Sequence, residues 1–436
     1  LTNINSPYWL YIEPYVHISV KGNRALFYNT LNGSYLEYEG KEKILSWLGL
    51  LLEPQNGRVI EIKKEEIDTY PELREWIDQL KSTFMGDLLS TSWSSQKPFQ
   101  MFPVLNIQKD VDKLAADSQR STGEDVMSYL REISLHIDTD CPQDCPMCGK
   151  SYRQFHSCSR LLGQSETLKE MDMNFIMEIM KQVRMDSFST LHILGGNIFS
   201  YSSFEALTGL LNSFPCKKVY HIHYLNFIEA HENDLKALSK GTNTNLDVLF
   251  HFPIDPKTIE QISHVLTQYK LAADFSFIIQ EESEVDYVEQ WVRDFHLSRV
   301  KLLPYYNGSN LSFFENCVYV EKAVVIESRP TMKDIFSRLS IDSNFFGKIH
   351  VLSSGEVYSD FYAPVIGRLD KETLIEILSR ELKEGKSWRR TRARVEPCRG
   401  CTFEGLCPPI SRYEGAIGKN NLCHIPGNTP LRGLLL

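Results

Sequence analysis

Between residues 132 and 304 short apolar runs alternate with segments whose apolar positions recur every three or four residues. The runs "LREISLHID", "STLHILGG", "KKVYHIHYL", "LDVLFHFPI", "ADFSFIIQ" and "RVKLLPYY" have the length and content of buried strands. The segments between them read as helices; in "MDMNFIMEIMKQVR", Met173, Ile176, Ile179, Met180 and Val183 share one helical face. Asp255-Pro256 opens the helix after the fourth strand with a preferred capping side chain and proline at the first helical position. Strands joined by crossover helices imply parallel pairing. Six such units fall short of the eight in a closed TIM barrel. The expected fold class is therefore α/β, a partial (β/α)6 TIM-like barrel over residues 132–310.

The flanks read differently. In "YVHISVKG", Val16, Ile18 and Val20 alternate with polar positions, the period of a half-buried strand. "RALFYNTLNGSYLEY" adds two strands about Asn32-Gly33, a hairpin turn signal. Helical patterns follow in "KEKILSWLGLLL" and, after a brief strand "RVIEI", in "KKEEIDTYPELREWIDQLKSTF". Three strands followed by helices predict a winged-helix-like module over residues 1–90, with a Ser/Pro-rich linker over 91–131. Beyond 310, "KIHVLSSGEVYSDF" predicts a hairpin and "KETLIEILSRELKEG" a helix, in a loop-rich region running to 436.

Length and composition narrow the class. At 436 residues, 42% of them hydrophobic, the chain has enough apolar material for two or three cores. It contains no uninterrupted apolar run of 18 residues, so no membrane-spanning helix is expected. "LTNINSPYWLYIEP" lacks the marks of a signal peptide, and a cytoplasmic protein is the expectation. A formal charge of −9 disfavours nucleic acid as a partner. Of ten cysteines, Cys141, Cys145 and Cys148 form one group and Cys398, Cys401, Cys407 and Cys423 another. Grouping of that kind in a reducing compartment points to metal rather than disulfides. Cys158, Cys216 and Cys317 stand apart and read as small apolar residues.

"CPQDCPMCGK" is C-x3-C-x2-C at the end of the first barrel strand. A structural zinc site needs four ligands, and His156 is a possible fourth. A [4Fe-4S] cluster held by three thiolates instead leaves one iron open at the barrel mouth. This arrangement resembles the radical S-adenosylmethionine (radical SAM) superfamily. The likeness continues in "LHILGGNIF", which ends the second strand with Gly195, Gly196 and Asn197, starting 47 positions after Cys148. The resemblance implies that the open iron binds SAM and that one electron splits it into a 5′-deoxyadenosyl radical. It also implies that the Gly195–Asn197 stretch touches the SAM amino group, the glycines letting ligand approach the backbone closely. The family has Glu where this chain has Asn197, and usually an aromatic where it has Met147. Losing a charge-assisted bond of about 1.5–3 kcal/mol weakens SAM binding roughly tenfold to a hundredfold.

"PCRGCTFEGLCPPISRYEGAIGKNNLC" is C-x2-C-x5-C-x15-C, a four-thiolate set suited to zinc or to an iron–sulfur cluster. The stretch resembles the SPASM domain of radical SAM peptide-modifying enzymes. The resemblance implies one auxiliary [4Fe-4S] cluster, because two positions where that domain carries further cysteines hold Ser411 and Asp360, the latter counted from Gly355. Arg389, Arg390, Arg392, Arg394 and Arg399 precede or enter the group; they offset cluster charge, grip an acidic peptide, or form a solvated face.

The first ninety residues resemble peptide-recognition elements of maturases for ribosomally made peptides, which implies that a precursor peptide adds to the edge strand "SYLEYEG", near Tyr35 to Tyr38. "YWLYIEPYVHISVKGNRALFYNTLNG", "GGNI" and "CPPISRYEG" look narrower still, like the pseudo-radical-SAM proteins of double-glycine peptide maturation systems, which accompany a second radical SAM maturase. Three readings follow: a radical SAM peptide maturase, a catalytically impaired protein that binds precursor peptide or a partner maturase, and a zinc-stabilised peptide binder.

Overall fold

The computed structural model describes residues 7–93, 95–101, 126–158, 170–385 and 387–425; most of the expected linker, 102–125, lies outside them. The N-terminal region carries six strands, β1 (Tyr8–Ile12), β2 (Val16–Lys21), β3 (Arg24–Asn29), β4 (Tyr35–Glu39), β5 (Val59–Ile62) and β6 (Gly86–Ser90). They form two sheets, in the orders β5-β1-β6 and β2-β3-β4. The expected three-stranded arrangement thus gains a second sheet, whose outer strands meet β1 from about 50 and 75 residues away along the chain. The long helical pattern after β5 is two helices, Lys64–Thr69 and Pro71–Ser82. Pro71 lacks an amide proton and takes the first position of the second helix, so the first ends at Tyr70.

β3 is buried on both faces. Ala25 and Phe27 pack with Trp47 and Trp76 of the N-terminal helices. Leu26 and Tyr28 point the other way, into a cluster with Cys401, Phe403, Leu406 and Cys407. Lys21–Glu404 at 2.7 Å and a 3.1 Å bond from Arg24 to the Gly400 carbonyl border the same contact.

The central sheet contains β7 (Glu132–Asp138), β8 (Thr190–Gly195), β9 (Lys217–His223), β10 (Thr244–His251), β11 (Ala273–Ile279), β12 (Val300–Pro304), β13 (Lys348–Leu352), β14 (Glu356–Tyr358) and β15 (Gly367–Arg368). Its order is β12-β11-β10-β9-β8-β7-β13-β14-β15. β7 to β12 lie side by side in chain order, all parallel, matching the six expected strands. The sheet is open, and it continues past β7: β13, expected only as half of a hairpin, adds in parallel.

Alternation gives each strand two different faces. Ile133, Leu135 and Ile137 of β7 and Leu246, Val248 and Phe250 of β10 pack with Ile176, Leu207, Ile259 and Trp291 of the crossover helices. Each such side chain contributes about 1.5–3 kcal/mol on burial. The opposite face carries Ser134, His136 and Asp138 on β7, His221 and His223 on β9, and Asp247 on β10, all buried and polar. Asp255 caps the helix Pro256–Tyr269 by accepting the Lys257 amide at 3.0 Å, as its position in the sequence implies. Among the described residues no helix is long and apolar enough to cross a membrane.

Candidate functional site

The cysteine loop leaves β7 at its carboxyl end and is fastened there. Asp138 accepts the Asp140 amide and the Ser200 hydroxyl, each at 2.9 Å. The amides of Gly196 and Asn197 donate to the carbonyls of Asp138 and Asp140 at 2.9 and 2.6 Å. A Cβ on Gly195 would lie 2.7 Å from the Asp138 carbonyl oxygen, and one on Gly196 would lie 2.2 Å from that of Asp140. The space these glycines free is filled by the cysteine loop itself, where the sequence suggested an approaching ligand. Asn197 sits beside it, its side-chain oxygen accepting the Phe199 amide at 3.3 Å.

Cys141, Cys145 and Cys148 border one cavity of about 20 Å³ with Gly196, His223 and His251. Met147 packs beneath it with Phe155, Leu249, Ile278 and Tyr305. Two hydrogen-bond donors from the end of β9 reach the sulfurs. The Leu225 amide donates to His223 Nδ1 at 3.3 Å, which leaves the proton on Nε2, 3.6 Å from Cys145 Sγ. Burial, with His251 adding to it, lowers the His223 pKa to about 3, so the ring is neutral. Asn226 Nδ2 donates to Cys141 Sγ at 3.6 Å. The donor set suits a soft metal centre. Cys145, His223 and His251 hold ligand atoms within 4.8 Å of one another, so a zinc-type arrangement is also represented. Among the described residues, the buried atoms Asn226 Oδ1 and His251 Nδ1 have no hydrogen-bond partner.

Cys158 departs from its reading as an isolated apolar residue. It borders the same cavity as the other three thiols. Burial, followed by the charges of Cys145, Cys141 and Cys148, pushes its pKa well above the usual thiol range. The signal missed was its position ten residues after Cys148, one short helix away. His156 is not at this cavity: it stacks on His192 with ring centroids 4.3 Å apart. Cys216 is buried in the helix-facing core, whereas Cys317 is exposed.

Cys398, Cys401, Cys407 and Cys423 border a second cavity, of about 10 Å³, with Val320, Leu422 and Arg392. A bridge between Val320 and Cys423 ties the last cysteine to the helical segment after β12. Arg392, one of the arginines for which a solvated face was an alternative, is buried here. Its guanidinium lies 3.5 Å from Cys398 Sγ and 2.9 Å from Glu414 Oε1. Arg389 is buried too, while Arg394 and Arg399 are exposed. Burial pushes the Cys407 thiol up to about 12, so four thiolates need a compensating cation. Ser411 caps the helix Arg412–Ile417, and Asp360 accepts the Tyr362 amide at 3.0 Å. Neither borders this cavity.

No family model and no curated protein matches the sequence. Among solved structures, Streptococcus suis SuiB bound to S-adenosylmethionine is 12% identical with a TM-score of 0.43, over 94% of this chain and 97% of that one. SuiB bound to precursor peptide SuiA is 10% identical with a TM-score of 0.44, over 95% of this chain and 100% of that one. Native anSMEcpe with bound AdoMet and Kp18Cys peptide is 13% identical with a TM-score of 0.44, over 63% of this chain and 88% of that one.

Proposed function

We propose that this chain is a cytoplasmic iron–sulfur protein of the radical SAM type, acting in the modification of a ribosomally made peptide. The observation that carries the reading is the convergence of Cys141, Cys145 and Cys148, with Gly196, on one cavity at the carboxyl ends of β7 and β8. Three thiolates on one short loop suit a [4Fe-4S] cluster with one iron open to SAM. Bound there, such a cluster would supply the electron for reductive cleavage of SAM. The protein's own part is to hold and tune it. Donors from His223 and Asn226 at two of the sulfurs stabilise the extra negative charge of a reduced centre. Gly195 and Gly196 let the loop sit against β8, and Asn197 offers a neutral oxygen where a carboxylate would hold an ammonium more strongly.

Cys398, Cys401, Cys407 and Cys423 would hold one auxiliary [4Fe-4S] cluster in a SPASM-like domain over 311–436, zinc being the alternative. Arg392 offsets part of its charge. The winged-helix-like module would take the precursor peptide along β4, an edge strand whose side chains are exposed in alternation.

One observation favours the second reading. Cys158 puts a fourth thiol on the first cavity. Four thiolates would saturate the cluster and, together with Asn197, suit a protein that binds precursor peptide or a partner radical SAM maturase without cleaving SAM. Iron, sulfide and SAM cleavage on anaerobically prepared protein test both. About eight irons per chain are expected for two clusters. Release of 5′-deoxyadenosine supports the enzyme; its absence, with recovery in Asn197→Glu combined with Cys158→Ala, supports the binding protein. A colourless protein holding only zinc would overturn both.

A further inference from the structure

The polar face of the central sheet holds a second concentration of ligating groups, away from the thiols and unused by the reading above. His192 of β8, His221 of β9 and His156, just after the helix Cys148–Gln154, bring one ring nitrogen each within 4.8 Å of the others. We infer that these three imidazoles form a site for one divalent transition-metal ion of the zinc class.

The argument rests on what lies behind each ring. His192 Nε2 faces Glu132 Oε2 at 3.6 Å, and His221 Nδ1 faces Asp247 Oδ2 at 3.0 Å. His156 Nε2 lies 3.1 Å from Ser134 Oγ. A carboxylate oxygen stands behind His192 and another behind His221, and a hydroxyl lies within hydrogen-bond reach of His156, the kind of outer groups that orient histidine metal ligands. Strand register builds this arrangement, since Ser134 pairs with His192 and His221 with Asp247.

The inner nitrogens then meet in a particular way. His192 Nδ1 and His221 Nε2 are 2.9 Å apart. In the metal-free chain one of the two donates to the other; with each ring's proton on its carboxylate-facing nitrogen, both would turn a lone pair inward. A metal ion satisfies both lone pairs at once. Zn–N bonds of about 2.0–2.1 Å in a tetrahedron put nitrogens about 3.3 Å apart, so the pair needs to open by only a few tenths of an ångström. The neighbouring cations are already engaged: Lys301 with Asp274 at 2.7 Å and Lys348 with Glu132 at 3.4 Å. Arg412 donates to His350, 3.1 Å away, outside the triad. A cavity of about 480 Å³ borders all three histidines, leaving a fourth position for water or a small anion.

The test is metal content of the full chain after anaerobic iron loading, with free zinc held at micromolar concentration and then removed by gel filtration. One retained zinc per chain is expected, lost in His192→Ala and in His221→Ala while iron and sulfide stay unchanged. Cobalt loaded in place of that zinc should give a spectrum without thiolate charge-transfer bands. Asp247→Asn, a change in a positioning residue, should weaken zinc tenfold to a hundredfold. Zinc retention that is absent, or identical in all three variants, would overturn the site. If the histidine variants misfold, an unchanged zinc affinity in Asp247→Asn overturns it alone. Zinc at the cysteines in place of iron would refute the cluster reading and not this one, because the histidine-dependent equivalent is read as a difference between variants.

Discussion

The two cysteine groups use the same ligand in opposite surroundings. Cys141, Cys145 and Cys148 are half-buried, come from one short loop, and meet neutral partners, an imidazole and an amide. Cys398, Cys401 and Cys407 are buried, and Cys423 joins them from a separate stretch of chain. Their neighbourhood contains a buried ion pair, Arg392–Glu414, and the apolar face of β3. A site carried on one short loop links no distant segments, so losing its metal should leave the fold in place. A site that joins distant segments under cover is built to fasten them. Thiolate count alone does not separate these roles; the protein around the sulfur does.

The largest effect should come from breaking the fastening site. Cys407→Ala should remove its metal and cost several kcal/mol, since structural metal binding is itself folding energy. Cys145→Ala should lose a comparable amount of iron with little change in thermal midpoint. Equal midpoint losses in the two variants would erase the distinction. Next, Arg392→Met leaves Glu414, whose side chain is 1% exposed, without its partner. A loss of about 3–5 kcal/mol in urea unfolding is expected.

A third change sharpens the loop side. Gly196→Ala sets a methyl 2.2 Å from the Asp140 carbonyl and 3.0 Å from the Cys141 Cβ, so the loop must shift. Iron at the first site should fall by at least half while stability drops by about 1–3 kcal/mol. The smallest effect is a pH dependence near the fastening site. Burial raises the Asp342 pKa to about 7 from 3.8. The folded state therefore holds a proton that the unfolded chain releases, and stability declines as pH rises from about 4 to about 7, then levels. Asp342→Asn should flatten that decline, read as the difference in urea midpoint between pH 4.5 and pH 8.

Much of the fold was legible because the central strands and crossover helices are local patterns. β7 to β12 fall where six apolar runs stand, and Asp255-Pro256 marks the helix start read from it, whereas Pro71 divides a pattern that reads as one helical stretch. What escaped depends on distance along the chain. β1 and β6 pair across some seventy-five residues, and β13 meets β7 across more than two hundred. The histidine cluster escaped for the same reason. "SLHID", "TLHIL", "YHIHYL" and "KIHVL" each put a histidine inside a strand that otherwise reads as apolar. Buried parallel strands seldom tolerate that without a purpose. Only register reveals that those rings meet. Cys158 was dismissed as single because its companions lie across a helix, a separation that spacing does not measure.

β3 is a party wall. Phe27 leans on the N-terminal helices and Tyr28 on the thiol-bearing loops, so one peptide plane separates two compartments. Filling the C-terminal compartment with iron or zinc would brace the wall from behind, and emptying it would let the neighbouring room sag. A newly made chain would then finish its front end only after its back end had been loaded. Slower amide exchange at Leu26 and Tyr28 in the loaded protein than in the stripped one is how that order of assembly would show itself.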